Sequence, residues 1–128
     1  MHVAAIRVSI AFMSPATGQR QTDTGLAPWW PHWHIRGRAL LPVVQGGMGI
    51  GISAHRLAGT VAAHNGMGTI ASIDLRHHHE DLMAQTRGTH DKEKIEAANR
   101  VALDREIQAA RALSGGHGLI AVNVMKAV

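Results

Sequence analysis

Leu40-Leu41-Pro42-Val43-Val44-Gln45-Gly46-Gly47-Met48-Gly49-Ile50-Gly51-Ile52-Ser53-Ala54 is the stretch that decides the fold. Leu40 to Val44 is an apolar, branched run of the kind that fills a strand covered on both faces. Pro42 lacks a backbone N–H and belongs near the strand's entry. Gly46, Gly47, Gly49 and Gly51 then let the backbone come close to a neighbour with no Cβ between them. Ser53 is placed to cap the helix that follows. A strand that ends in a glycine turn and a helix N-terminus is how α/β proteins present backbone donors to a cofactor.

Downstream, the pattern keeps alternating. Leu57, Ala58, Val61 and Ala62 predict a helix over 53–64, ended by Asn65-Gly66 with the glycine available for a left-handed cap. Met67 to Ile73 predicts a second strand. A polar insert, Asp74 to His90, holds a short helix near Glu80–Gln85. Ile95, Ala98, Ala102, Leu103, Ile107 and Ala110 recur on one side of a long helix over 91–113, with Asp91 as its cap and Gly115, Gly116 and Gly118 as its stop. Leu119 to Met125 is the third strand. The order β-α-β-insert-α-β calls for parallel strands joined by right-handed crossovers.

Residues 1–34 differ in character. Ser14 to Gln19 and Gln21 to Gly25 are turn material, and Pro28-Trp29-Trp30-Pro31-His32-Trp33 has no period. This segment is expected to be a poorly ordered leader, with the folded domain occupying 35–128 and Ile35 to Arg38 forming an entry turn or edge strand.

Composition narrows the functional classes. The chain has 128 residues, enough for one small domain, and 45% of them are hydrophobic. With no Cys there are no disulfides, thiolate metal sites or cysteine nucleophiles, which fits a cytoplasmic protein. The net charge of +4 comes mostly from Arg7, Arg20, Arg36 and Arg38 near the start. No basic stripe for nucleic acid marks the body, and no apolar run is long enough to span a membrane. His77-His78-His79 cannot converge on one ion in regular structure and is expected to be a solvated loop rather than a metal site.

Two cofactor folds compete for the glycine turn. Gly49-Ile50-Gly51-Ile52-Ser53-Ala54 has G-x-G-x-x-A spacing, and Asp74 follows the second strand where a ribose-binding acid would sit, as in a Rossmann-type NAD(P) domain. Gln45-Gly46-Gly47-Met48 lengthens the loop beyond the tight turn of that fold. The other reading comes from four ordered blocks: Leu41 to Gly49, Ser53 to Ala58, Gly68 to Ser72 and Ala121 to Met125. Together they resemble the nitronate monooxygenase family, also called 2-nitropropane dioxygenases.

That resemblance covers about residues 35–128. It implies the N-terminal βαβαβ portion of a TIM (β/α)8 barrel, FMN as cofactor, and oxidative denitrification of an alkyl nitronate with O2. Flavin-dependent enoyl reductases share the architecture. By the same resemblance Gly46, Gly47 and Met48 lie against the isoalloxazine ring with their amides near its reactive edge. Asn123 hydrogen-bonds the flavin, and Thr69 and Ser72 are secondary candidates. A complete barrel needs about 250 residues and eight strands. The expectation is therefore a fragment, inactive alone, whose catalytic base lies outside it and whose uncovered sheet edge invites self-association.

Overall fold

A computed structural model describes residues 7–12 and 31–126. The fold is mixed α/β. A hairpin opens its main body, formed by β2 (Trp33–Ile35) and β3 (Arg38–Leu40) with Trp33 opposite Leu40. Arg36 and Gly37 both take positive φ, 51° and 74°, and so form the two-residue turn whose twist suits antiparallel strands. The Arg38 guanidinium donates to the carbonyls of Gly118 (2.5 Å) and Gly116 (2.8 Å), fastening the hairpin to the far end of the chain.

The run expected as a strand over 40–45 is divided. Leu40 closes the hairpin, and only Val44 makes a parallel bridge, to Met67. The Met67 N–H donates to Val43 O and the Gln45 N–H to Met67 O, both at 2.9 Å. Val44 therefore turns its own N–H and C=O to the other side, where no strand meets it among the described residues. With Pro42 unable to donate and no partner beyond, the ladder stays one bridge long.

Helix α1 (His55–Ala63) returns the chain to β4 (Met67–Ala71). Asn65, rather than Gly66, takes the left-handed position at φ 63°. The Asn65 N–H donates to Ala62 O and the Gly66 N–H to Val61 O, which is a Schellman closure. The insert forms a 3-10 turn (Leu75–His78) and α2 (Glu80–Thr86). The long helix α3 (Lys92–Ser114) is capped as expected by Asp91, whose carboxylate accepts from the N–H groups of Glu93 and Lys94. It stops at Gly115, φ 59°.

β5 (Leu119–Lys126) pairs in parallel with β4, Met67 opposite Leu119 and Ala71 opposite Asn123. The segment at Val44, β4 and β5 thus run side by side in one direction. The leader departs from expectation. Within it β1 (Arg7–Phe12) pairs antiparallel with the far edge of β5, Arg7 opposite Lys126, and Trp33 and His34 belong to β2. Antiparallel pairing needs only free N–H and C=O groups on the edge, which β5 offers. Pro31 and His32 lead into β2, and leader residues 1–6 and 13–30 lie outside those described.

The sheet has two faces. Ile70, Ile120 and Val122 pack with Ala58 and Ala62 of α1 and with Ala98, Ala102, Ile107 and Ala110 of α3, and Leu75 and Leu82 of the insert join them. On the opposite face Met67, Leu119 and Ala121 meet Leu40 and Ile35 of the hairpin. No helix among the described residues is long and apolar enough to cross a membrane.

The helix face tolerates no side chain at Gly68, because a Cβ there would lie 1.9 Å from Ala58 O, a backbone atom of α1. Gly68→Ala is expected to cost about 3 kcal/mol or more, since a helix rather than a side-chain tip must move. Urea denaturation followed by circular dichroism measures it.

Candidate functional site

The expected site residues gather at the C-terminal ends of the parallel strands. Asn123 follows Ala121 on the face away from the helices, beside Ala71. Gly47 lies directly against it: a Cβ on Gly47 would stand 2.8 Å from Asn123 Nδ2. Gly46 is the opposite case, with open space where its Cβ would be. Asn123 is held through its main chain, whose carbonyl accepts from Ser72 N–H at 3.0 Å. Its side-chain Oδ1 is buried and without a hydrogen-bond partner, a costly condition for an acceptor that nothing offsets.

Ser53 organises the turn from below. It is fully buried, and its hydroxyl accepts from Met48 N–H (2.8 Å) and donates to Gly46 O (3.1 Å). Gln45 Nε2 donates to Ser53 Oγ at 2.8 Å and also reaches Gly46 O. Its Oε1 accepts from the Thr69 N–H of β4 at 3.0 Å. The main chain of Ser53 closes on both sides, its N–H donating to Met48 O and its carbonyl accepting from Ala71 N–H.

This corrects two expectations. Ser53 does not cap α1, since the cap position falls to Ala54 and no side chain there bonds a helix N–H. The Met48 amide is already used by Ser53 and is not a free donor. The amides of Gly46 and Gly47 make no hydrogen bond among the described residues. Met48 keeps an exposed side chain, as do Ile50 and Ile52. Thr69 is buried on the same face of β4, with its N–H committed to Gln45.

The sequence did not disclose what caps α1. The Glu106 carboxylate, on α3 and 3% exposed, accepts from the His55 N–H through Oε2 at 2.7 Å. The same oxygen meets His55 Nδ1 at 2.7 Å. His79 Nε2 lies 3.3 Å from Oε1, yet it has no aligned hydrogen-bond partner. Burial alone would push the Glu106 carboxyl up. The His55 N–H, the His55 ring and the nearby His79 outweigh that and hold it below the usual glutamate range. One signal was available: Glu106 lies four residues from both Ala102 and Ala110, in register with the apolar stripe.

The histidine run is exposed at His77 and His78, as expected, but it is not a loop. It ends the 3-10 turn, and the His78 ring fills the space in which Gly51 would carry a Cβ. His77 and His78 remain exposed to solvent and His79 is half-buried. Among the described residues no group of three or more His, Asp or Glu side chains converges as a metal-ion site would require. Asp74, the acid of the Rossmann reading, accepts from Arg76 Nη1 (2.8 Å) and Asn99 Nδ2 (3.4 Å), and Asn99 Oδ1 accepts from Arg76 N–H. Its carboxylate ties the insert to α3.

Comparison with family models, with curated proteins and with solved structures returns no match. What the site can do therefore rests, among the described residues, on two adjacent amides without partners, the Asn123 side-chain amide packed on Gly47, and open space over Gly46.

Glu106→Ala is expected to destabilise the fold by about 3 kcal/mol at pH 7, leaving the first turn of α1 and two histidines without their acceptor. Because the folded carboxyl sits below its unfolded value, this contribution is complete above the ordinary glutamate range. It fades as pH falls through that range and below the folded value. The gap between wild type and variant in urea midpoints should therefore narrow steadily from pH 5 downward.

Proposed function

We propose that this chain contributes the flavin-facing βαβαβ portion of an FMN-dependent (β/α)8 oxidoreductase of the nitronate monooxygenase type. One observation carries the proposal. Gly47 lies against the Asn123 side chain, with Nδ2 the nearest atom, and the amides of Gly46 and Gly47, without partners among the described residues, lie at the C-terminal ends of parallel strands. An isoalloxazine edge offers the complement, with acceptors at N5 and O4 next to a donor at N3–H. The open space over Gly46 allows a flat ring to approach the backbone.

In this reading the residues divide the work. Gly46 and Gly47 supply neutral donors to the ring edge, and electrostatic stabilisation of charge on that edge is their contribution to catalysis. The Asn123 side-chain amide, packed against Gly47, would hydrogen-bond the ring edge and fix its rotation in the plane. Ser53 and Gln45 hold the turn rigid, so that the amides are already aimed before a ligand arrives. FMN would supply the electron chemistry with an alkyl nitronate and O2 as reactants. Reduction of an enoyl substrate is the alternative on the same cofactor.

A Rossmann-type NAD(P) site is favoured less. Its acid, Asp74, is engaged by Arg76 and Asn99, and Gly51 of the G-x-G spacing is filled by the His78 ring.

Flavin fluorescence during titration of the full chain tests the proposal. None of the assigned residues contacts a phosphate, so FMN and riboflavin are expected to bind weakly and alike. Gly46→Ala should leave the urea midpoint unchanged yet weaken binding about tenfold, equivalent to about 1.4 kcal/mol. Asn123→Leu should abolish binding. No flavin response in a folded chain, or NADPH binding that Asp74→Ala removes, would overturn it.

A further inference from the structure

On the outer side of the Val44 segment the main chain offers one complete donor–acceptor pair. The bonds to β4 use Val43 O and Gln45 N–H. The N–H and C=O of Val44 therefore turn outward, and neither has a partner among the described residues. Two residues on, Gly46 is exposed and its N–H is likewise unpartnered there, while its carbonyl accepts from Ser53 Oγ at 3.1 Å. Two residues back, the chain bends at Pro42, which has no N–H and whose carbonyl meets no donor among the described residues. The Val43 and Val44 side chains are both about half exposed. Charge narrows what can seat on this edge. The chain carries a net charge of +4, yet residues 39–54 carry none. A patch that meets its own copy sets like beside like, so a charged row would repel itself. A charged partner finds no counter-charge here.

We infer that this edge pairs with the same edge of a second copy of the chain, antiparallel and centred on Val44. A two-fold axis at that residue lets the two Val44 main chains exchange both N–H···O=C bonds, the hydrogen-bonded pair of an antiparallel ladder. In that register residue 42 of each copy stands opposite residue 46 of the other. The donor that Pro42 lacks then falls opposite the Gly46 carbonyl, which is already occupied. The unpartnered Gly46 N–H falls opposite the unpartnered Pro42 carbonyl. A centre at Pro42 would lack both donors, and a centre at Gly46 would meet two occupied carbonyls. The contact closes with two copies instead of growing into a filament. The ladder is short, so association is weak, with a Kd of about 100 μM. Pairing takes the Gly46 amide, so a ring ligand that needs this donor and a second copy exclude one another. The inference goes beyond the flavin reading and stands without it.

Sedimentation velocity of the full chain, without flavin, tests the pairing over about 10 to 1000 μM, a decade either side of that Kd. The wild-type sedimentation coefficient is expected to rise from monomer toward dimer across the series. Val44→Lys and Val44→Glu, each checked for folding by circular dichroism, should alone weaken association by about tenfold or more, because like charges then stand directly opposite at the axis. Mixed in equal amounts, the two variants should pair again, since only a Val44-on-Val44 contact sets one new charge against the other. Val101→Lys, on an exposed position of α3, should associate as wild type does. A wild-type chain that stays monomeric throughout would assign the edge to another segment of the chain or to a different partner, and would overturn the proposal. So would undiminished association of Val44→Lys, a mixture that stays monomeric, or loss of the dimer in Val101→Lys.

Discussion

Two main-chain hydrogen bonds decide where the glycine turn goes: Met67 N–H to Val43 O, and Gln45 N–H to Met67 O. They are the whole ladder between the first parallel segment and β4. Gln45 reinforces them through its side chain, which reaches the next donor along β4, Thr69 N–H. One residue thus bonds two positions of the neighbouring strand, one with its backbone and one with its amide. The register so fixed brings Gly47 level with Asn123, on the strand beyond β4. A slip by one residue would reverse every side chain of the segment and carry the turn past Asn123.

The turn itself is rigid for a separate reason. A stretch with four glycines should be loose, yet Ser53 returns from beyond the turn and satisfies both ends of it. Its hydroxyl works as acceptor and donor at once, toward Met48 N–H and Gly46 O. Burying that hydroxyl is favourable only because both of its roles are filled. The price of using Ser53 this way is that α1 loses its local cap. Glu106 supplies the replacement from α3, and a negative charge at a helix N-terminus is favoured by the helix dipole. The two features are linked: a seryl cap would be cheaper and local, but it would leave the turn without its internal strut.

This linkage explains how much could be read in the chain. Element order, the α3 cap at Asp91 and the alternation of strand and helix follow from periodicity and propensity, which are local. The family resemblance named Gly46, Gly47 and Asn123 together, and of these the structure brings Gly47 against Asn123. Three features were not legible. Ser53 has a cap's residue type and position, and only the path of the loop shows that its hydroxyl points backward. Glu106 looks like one more charge on a charged helix unless its register with Ala102 and Ala110 is noticed. The pairing of β1 with β5 is antiparallel and separated by most of the chain, and no local pattern encodes such a contact.

The sheet's two edges are treated differently, and that difference bears on the site. On the far side of β5 the edge is taken by β1. At Val43 and Val44 no strand among the described residues takes it, both side chains are about half exposed, and the exposed apolar series continues through Met48, Ile50 and Ile52. No charged residue interrupts residues 39–54, so charge is absent there as a deterrent to edge pairing and Pro42 alone breaks the row of donors. Natural folds seldom leave such a stretch bare unless something seats on it. Among the described residues, the unpaired donors at its centre are the amides of Gly46 and Gly47, and the exposed side chains around them, Met48, Ile50 and Ile52, are apolar. On the proposed reading, a flat heteroaromatic ring with a polar rim would meet the amides and the apolar surround together, whereas a phosphate would sit poorly on an apolar surface and a metal ion would leave both amide donors unpaired.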